Sequence, residues 1–460
     1  MIFSSNVFLF AFFPLVLLLY YIAPRRLRNP VLLLFSLIFY GWGEPVYLFL
    51  MIATILFDYG CGLLMGKFRE QPKAKKAVLI VGVVMNLLSL GFFKYAGFFV
   101  EQVNALGFFP TISAPQISLP IGISFYVFQS MSYIIDVYRQ DAPVQKNVVS
   151  FGTYVTLFPQ LIAGPIVRYA DVAEQLQTRR ENIPDFASGV LLFMAGMGKK
   201  MLLANPMGSL CESLMTGSGT LAAWAGMVAY TLQIYFDFSG YSDMARGLGR
   251  MLGFEFLPNF DYPYISRSVT EFWRRWHISL STWFKEYVYI PLGGNRKGKA
   301  RQILNLAIVW ALTGFWHGAS WNFLLWGLYY AVLLIFEKTF WLKLLQKLPK
   351  FVGHIYTVFV FVMGWVLFYF TDFGQLGAFL VRLFSGVPTQ RFTGNLILGF
   401  LPLMAVAIFA STPAMKRLQE KYAEKPAVRY GCIAAAAAAM ILCVAALASQ
   451  SYNPFIYFRF

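Results

Sequence analysis

The run Ile303-Leu-Asn-Leu-Ala-Ile-Val-Trp-Ala-Leu-Thr-Gly-Phe-Trp-His317-Gly-Ala-Ser-Trp-Asn-Phe-Leu-Leu-Trp-Gly-Leu-Tyr-Tyr-Ala-Val-Leu-Leu-Ile-Phe336 is apolar almost from end to end. A helix crosses a bilayer core with about 20 residues, so this run is too long for one span. Gly314 and Gly318 interrupt it near its middle. It reads as two arms that go up and come back, with His317 at the turn. The basic clusters Arg296–Arg301 and Lys338–Lys350 bracket it. Lys and Arg gather in cytoplasmic loops, which puts both clusters on that side and His317 within the membrane or toward the outer side. An ionisable group at that depth is costly, and its default reason is function. Imidazole is also the side chain best suited to move a proton near neutral pH.

The rest of the chain fits this start. It has 460 residues, 58% hydrophobic and 13% charged, with a mean hydropathy of +0.60. A soluble domain carries roughly 25% charged residues. Length alone would suggest about three soluble domains. Apolar segments recurring from end to end point instead to one domain over 1–460, an all-α polytopic membrane bundle. Those segments lie near 7–23, 31–42, 45–65, 77–93, 96–109, 119–138, 149–166, 186–204, 221–253, 303–336, 352–371, 396–412 and 430–448. By length they predict roughly 11 to 13 membrane helices, with re-entrant elements at 31–42, 149–166 and 278–293. The stretch 7–23 is followed, not preceded, by Arg25, Arg26 and Arg28. It therefore reads as a retained span rather than a signal peptide. The net charge of +17 is absorbed by cytoplasmic loops and does not call for nucleic acid. Four cysteines and three histidines are scattered without a metal-ligand spacing, so no metal is expected. No internal repeat is visible. The run Ala434–Ala439 suits close helix packing.

Several constellations admit a functional and a structural reading. His277 follows Glu271-Phe-Trp-Arg-Arg-Trp276. Arg and Trp side by side suit an interfacial helix; functionally, His277 would line a cytoplasmic entry and help position a thioester or its oxyanion. Lys285, Arg296, Lys297, Lys299 and Arg301 flank Pro291-Leu-Gly-Gly294. They form an ordinary cytoplasmic loop or a cationic mouth for a phosphate-bearing donor. Gln233/Asp237 and Ser239/Asp243 are spaced four apart, and Asp243/Arg246 three apart, so each pair can share a helix face. They line a cavity or form a structural network. Phe158-Pro-Gln-Leu-Ile-Ala-Gly-Pro-Ile-Val-Arg168 breaks a helix in an apolar run. No Gly-x-Ser-x-Gly elbow exists in a strand–helix setting. Acyl transfer would then be direct, or would use a nucleophile on another protein.

These residues are recognisable together. The runs Met1–Phe10, Phe158–Pro165, Tyr235–Asp243, Phe272–Ser281, Tyr289–Arg296, Gly314–Asn322 and Pro454–Phe460 resemble the membrane-bound O-acyltransferase family over nearly the whole chain. Within it they are most similar to the membrane subunits that O-acetylate alginate. The resemblance implies a central funnel through the membrane, with His317 and His277 as catalytic residues. It implies a lining drawn from Trp276, Ser279, Trp316, Asn322, Asp237, Asp243, Arg275 and Lys285. It implies no bound cofactor, and as donor acetyl-CoA or another acyl thioester, carried by coenzyme A or an acyl-carrier protein. It also implies an extracytoplasmic partner of the esterase-like (SGNH) type and residence in the bacterial cytoplasmic membrane. Residues 372–395 match no particular polymer. D-alanyl transfer to teichoic acid and peptidoglycan O-acetylation are the nearest alternatives. A transporter or channel is the alternative of another class, with Asp237, Asp243 and the histidines as an ion path.

Overall fold

A computed structural model describes residues 1–108, 110–113, 115, 117–162, 164–422, 425–449 and 455–456. All regular structure among them is helical. Among the described residues, seven helices are long and apolar enough to cross a membrane: Tyr47–Lys67, Pro72–Ala105, Ile183–Met215, Trp321–Leu345, Lys350–Tyr369, Arg391–Ala410 and Pro426–Ser449. The protein is thus a multi-pass membrane protein. The remaining long helices of the expected bundle are too polar or too short for that criterion, and each failure has a cause in the sequence. Thr220–Met251 carries the buried Gln233 and Asp237 and the half-buried Asp243. The helix Phe8–Ile22 is apolar but short.

The chain forms two compact units. The first holds residues 1–193 and 244–257. Its helices are α1 (Phe13–Ile22), α2 (Arg28–Gly41), α3 (Tyr47–Lys67), α4 (Pro72–Ala105), α5 (Ile123–Arg139) and α6 (Val148–Thr156). Phe8, Phe12, Phe39, Phe158 and Phe193 pack ring against ring in its core. The break expected at 158–168 is present. Helix α6 stops at Thr156 and a short turn follows at Phe158–Leu161. Pro159 has no N–H to continue the helix, and the Phe158 N–H is satisfied by the Ser36 hydroxyl at 3.1 Å. A polar knot closes one edge of this unit. Glu181 accepts from the Tyr20 hydroxyl at 2.6 Å and pairs with Arg28 at 2.6 Å. Arg179 donates to Tyr20 at 2.8 Å and to Asn29 at 2.7 Å.

The second unit holds residues 194–243 and 258–460. Helix α7 (Ile183–Gly198), whose residues up to Phe193 count with the first unit, passes through a wide turn at Lys199–Ala204 into α8 (Asn205–Met215), and α9 (Thr220–Met251), whose residues from Met244 count with the first unit, follows. Two short helices, α10 (Val269–Arg275) and α11 (Ile278–Phe284), precede the long pair α12 (Lys299–His317) and α13 (Trp321–Phe336). Then come α14 (Lys350–Tyr369), α15 (Phe373–Phe384), α16 (Arg391–Ala410) and α17 (Pro426–Ser449). Helix α17 exposes Tyr430, Ile433, Ile441 and Leu442, an apolar surface suited to lipid.

The α12–α13 hairpin is the two-armed element read from residues 303–336. Gly314 and Gly327 make its crossing possible. A Cβ on Gly314 would collide with the Phe323 carbonyl, and one on Gly327 with the Trp310 carbonyl. The backbones therefore touch, as small residues allow between membrane helices. The turn that results carries His317.

Candidate active site

His317 is the last residue of α12 and is 8% exposed. Its ring lies edge-on to Trp326, with centroids 5.1 Å apart, and to Phe368 at 5.3 Å. Trp316 sits 4.9 Å from the His317 ring and 6.2 Å from that of His277. The two imidazoles, separated by forty positions in sequence, line one small cavity. Ile234, Phe238, Trp276, Trp326, Trp365, Phe368 and Ile456 complete its walls. Its volume is about 20 Å³, room for roughly one water-sized group. Among the described lining residues the only side-chain heteroatoms are the imidazole and indole nitrogens.

His277 is held by its backbone as much as by its ring. It links α10 to α11 with φ +46°, a left-handed conformation unusual for a side chain of this size. Helix α10 is fixed first. Ser268 caps it by accepting from the Glu271 N–H at 3.0 Å, and the Glu337 carboxylate accepts from Val269 and Thr270 at 2.6 and 2.8 Å. Beyond the turn, Asn259 gathers the chain. Its backbone carbonyl accepts from Ile278 N at 2.9 Å. Its side-chain oxygen accepts from Ser279 N at 3.1 Å and from Ser279 Oγ at 2.9 Å, and lies 3.2 Å from His277 Nδ1.

That geometry fixes a tautomer. A backbone N–H can only donate, so the shared Asn259 atom is the amide oxygen. His277 Nδ1 must then carry the proton, which leaves the neutral ring's lone pair on Nε2. The segment lies outside the long spans, and full burial pushes the His277 imidazole below its ordinary pKa. His277 is therefore neutral at pH 7 and a hydrogen-bond acceptor at Nε2.

The other residues singled out from sequence fall in different places. Trp276 lines the cavity, and Trp316 is buried between the imidazoles. Ser279 belongs to the Asn259 knot. Asn322 donates to the Leu367 carbonyl at 3.4 Å, tying the start of α13 to the end of α14. Asp237 forms a buried ion pair with Lys200 at 2.6 Å and accepts from the Ile456 N–H at 2.7 Å. Asp243 pairs with Lys199 at 2.6 Å. Arg275 bridges Glu271 at 3.1 Å and Asp261 at 2.9 Å. Lys285 is exposed and pairs with Glu286 at 3.4 Å. None of these last five lines the cavity. His354, given no role from sequence, has its Nδ1 3.2 Å from the Ser266 carbonyl. Among the described residues no group of three or more His, Cys, Asp or Glu could hold a metal ion. Most of Pro454–Phe460 lies outside the described residues.

Sequence reasoning missed Asn259, the aromatic walls Phe238, Trp326, Trp365 and Phe368, and Ile456. Asn259 left one signal, a lone amide in the apolar run Phe256-Leu-Pro-Asn-Phe260. The walls left none, because each sits in a helix already rich in aromatics.

Two imidazoles in a small apolar cavity with largely buried walls can accept a proton from a hydroxyl that enters it, and can shield a reactive ester from water. Comparison with known proteins shows the family. Residues 137–374 match the model of the membrane-bound O-acyltransferase family. The chain is similar to "Probable alginate O-acetylase AlgI" of Azotobacter vinelandii, 39% identical over 500 residues and covering all of both chains. It is 45% identical over 374 residues to the protein of that name in Pseudomonas aeruginosa, covering 80% of this chain and 72% of the other. The peptidoglycan O-acetyltransferase of Helicobacter pylori is 34% identical over 409 residues, covering 80% of this chain and 77% of the other. With the hairpin, its histidine and these likenesses together, the chain belongs to the membrane-bound O-acyltransferase family and is an O-acyltransferase enzyme.

Proposed function

We propose that the protein moves an acetyl group from a cytoplasmic acyl thioester to hydroxyls of an extracytoplasmic polysaccharide such as alginate. The observation that carries this reading is the convergence of His277 and His317 on one small apolar cavity. The relatives named alginate O-acetylases supply the substrate class.

In the reaction proposed, a hydroxyl oxygen attacks the thioester carbonyl while His317 takes its proton. The new C–O bond forms, the C–S bond breaks, and the thiolate leaves with the proton returned by the imidazolium. Neutral His277, an acceptor at Nε2, orients the incoming hydroxyl. In this reading it accepts from the hydroxyl at Nε2 rather than donating to an oxyanion. The hydroxyl belongs to the sugar or to a serine of an esterase-like partner outside the membrane. The donor is acetyl-CoA or an acyl-carrier thioester, and the membrane is the bacterial cytoplasmic one.

His317→Ala tests the reading. Loss of a general base costs about 100- to 10,000-fold in rate. Polymer acetyl content and thiol release should both collapse while the protein still inserts and purifies normally. Acetylation at the wild-type level by this variant would refute it. The Helicobacter pylori relative favours peptidoglycan as a second acceptor; acetyl content of isolated peptidoglycan separates the two.

A further inference from the structure

We infer that Ile456 sets the acyl-chain length this enzyme accepts, and that Asp237 and Lys200 hold it in place to do so. The inference rests on the acyl-thioester reading above and names a determinant within the same site.

The observations begin with position. Ile456 lies far from the histidines in sequence, yet it lines the cavity they share. It is 3% exposed, and its neighbour Phe455 is 4% exposed. Two specific contacts anchor these residues. Phe455 stacks on Tyr241, with centroids 4.5 Å apart. The Ile456 N–H donates to Asp237 Oδ2 at 2.7 Å. Asp237 is itself held through its other oxygen by Lys200 at 2.6 Å, with both side chains almost wholly buried.

Asp237 and Tyr241 are one turn apart on α9, and Phe238, next to Asp237, is a cavity wall. One helix therefore supplies both a wall and the anchors for the wall provided by Ile456. A buried charge pair is a costly way to hold a backbone N–H, since desolvation opposes it. Its benefit is fixed geometry, and the atom it fixes belongs to the residue that borders the reactive cavity.

The size of the cavity gives this wall its consequence. About 20 Å³ admits a group of methyl size and no more. Every other wall is an aromatic ring, an imidazole or Ile234 on α9. Ile456 is the aliphatic wall that lies outside a long helix. Truncating it opens room for two or three carbons without disturbing either imidazole. In a hydrophobic pocket one methylene is worth roughly 10- to 200-fold in discrimination.

The experiment uses full-length purified protein with acetyl-, propionyl-, butyryl- and hexanoyl-CoA, reading thiol release for each. Wild type should favour acetyl. Ile456→Ala should raise the butyryl-to-acetyl ratio of kcat/KM by about 10-fold or more. Ile456→Val should raise the propionyl ratio only, and Ile456→Leu should restore the wild-type order. Asp237→Asn should broaden chain-length preference in the same direction. A merely structural role for Ile456 would lower every donor alike. Turnover by the variants with an unchanged chain-length ratio overturns the inference alone. Wild-type protein that turns over no thioester overturns the underlying reading and the inference together.

Discussion

Replacing Asn259 by alanine is the sharpest test of how the site is held. One amide oxygen accepts from His277 Nδ1, Ser279 N and Ser279 Oγ. The half-buried hydroxyl can turn elsewhere. The other two donors are left unpaired, at about 1–3 kcal/mol each, or ~4 kcal/mol at mid-range. The left-handed backbone of His277 costs of order 1–3 kcal/mol, ~2 at mid-range, and relaxes once the knot is gone. The difference leaves Asn259→Ala less stable by ~2 kcal/mol. Thermal unfolding of the detergent-solubilised protein should show a drop of several degrees. Asn259→Asp supplies the complementary measurement. It keeps an acceptor in place and adds a negative charge beside the imidazole, which favours the imidazolium. The neutral form of His277 then requires a higher pH, so the acidic limb of the rate profile should move up. Wild-type melting by Asn259→Ala, with an unmoved pH profile for Asn259→Asp, would refute the arrangement described.

Two further expectations concern stability. Burial pushes the Glu181 carboxyl up, but hydrogen bonds from Tyr20 and Arg28 and the charge of Arg28 outweigh it and hold the group below its ordinary 4.5. Its contribution is then fully present above pH ~4.5 and lost as pH falls through the lower folded value; Glu181→Gln should flatten this part of the melting-temperature curve between pH 3 and 6, and an unchanged slope would count against the knot. Gly314→Ala should destabilise the hairpin by about 1–3 kcal/mol or more, because its Cβ meets the rigid Phe323 carbonyl. A wild-type melting point for that variant would show that the two backbones can part without cost.

Much of this architecture was legible from residue chemistry alone. The long apolar run with glycines at its middle gave a hairpin. His317 followed from being an ionisable group at the turn. His277 was harder. Its Trp and Arg neighbours resemble those of an interfacial helix, and Arg275 does face outward, in a bridge between Glu271 and Asp261. The adjoining residues turn inward because the left-handed link reverses the chain, and backbone reversal at a histidine has no sequence signature. The polar turns of α9 read as either a network or a lining, and the partners they meet lay beyond local spacing. Asp237 and Asp243 engage Lys200 and Lys199 across the unit rather than depending on neighbours four residues away. Ile456 and the aromatic walls depend on contacts between distant segments, which periodicity does not encode.

The order of the cavity walls along the chain has a consequence during synthesis. Translation delivers Ile234 and Phe238 first, then His277 and His317, then Trp326, Trp365 and Phe368, and Ile456 last. The α12–α13 hairpin needs only sequence-local contacts to close, at Gly314 and Gly327. A ribosome-bound chain therefore carries both imidazoles in place well before the final hydrophobic wall exists. Until that wall arrives, the apolar cavity around the imidazoles lacks one of its sides. Enclosure of the cavity thus waits for a segment made well after the second histidine.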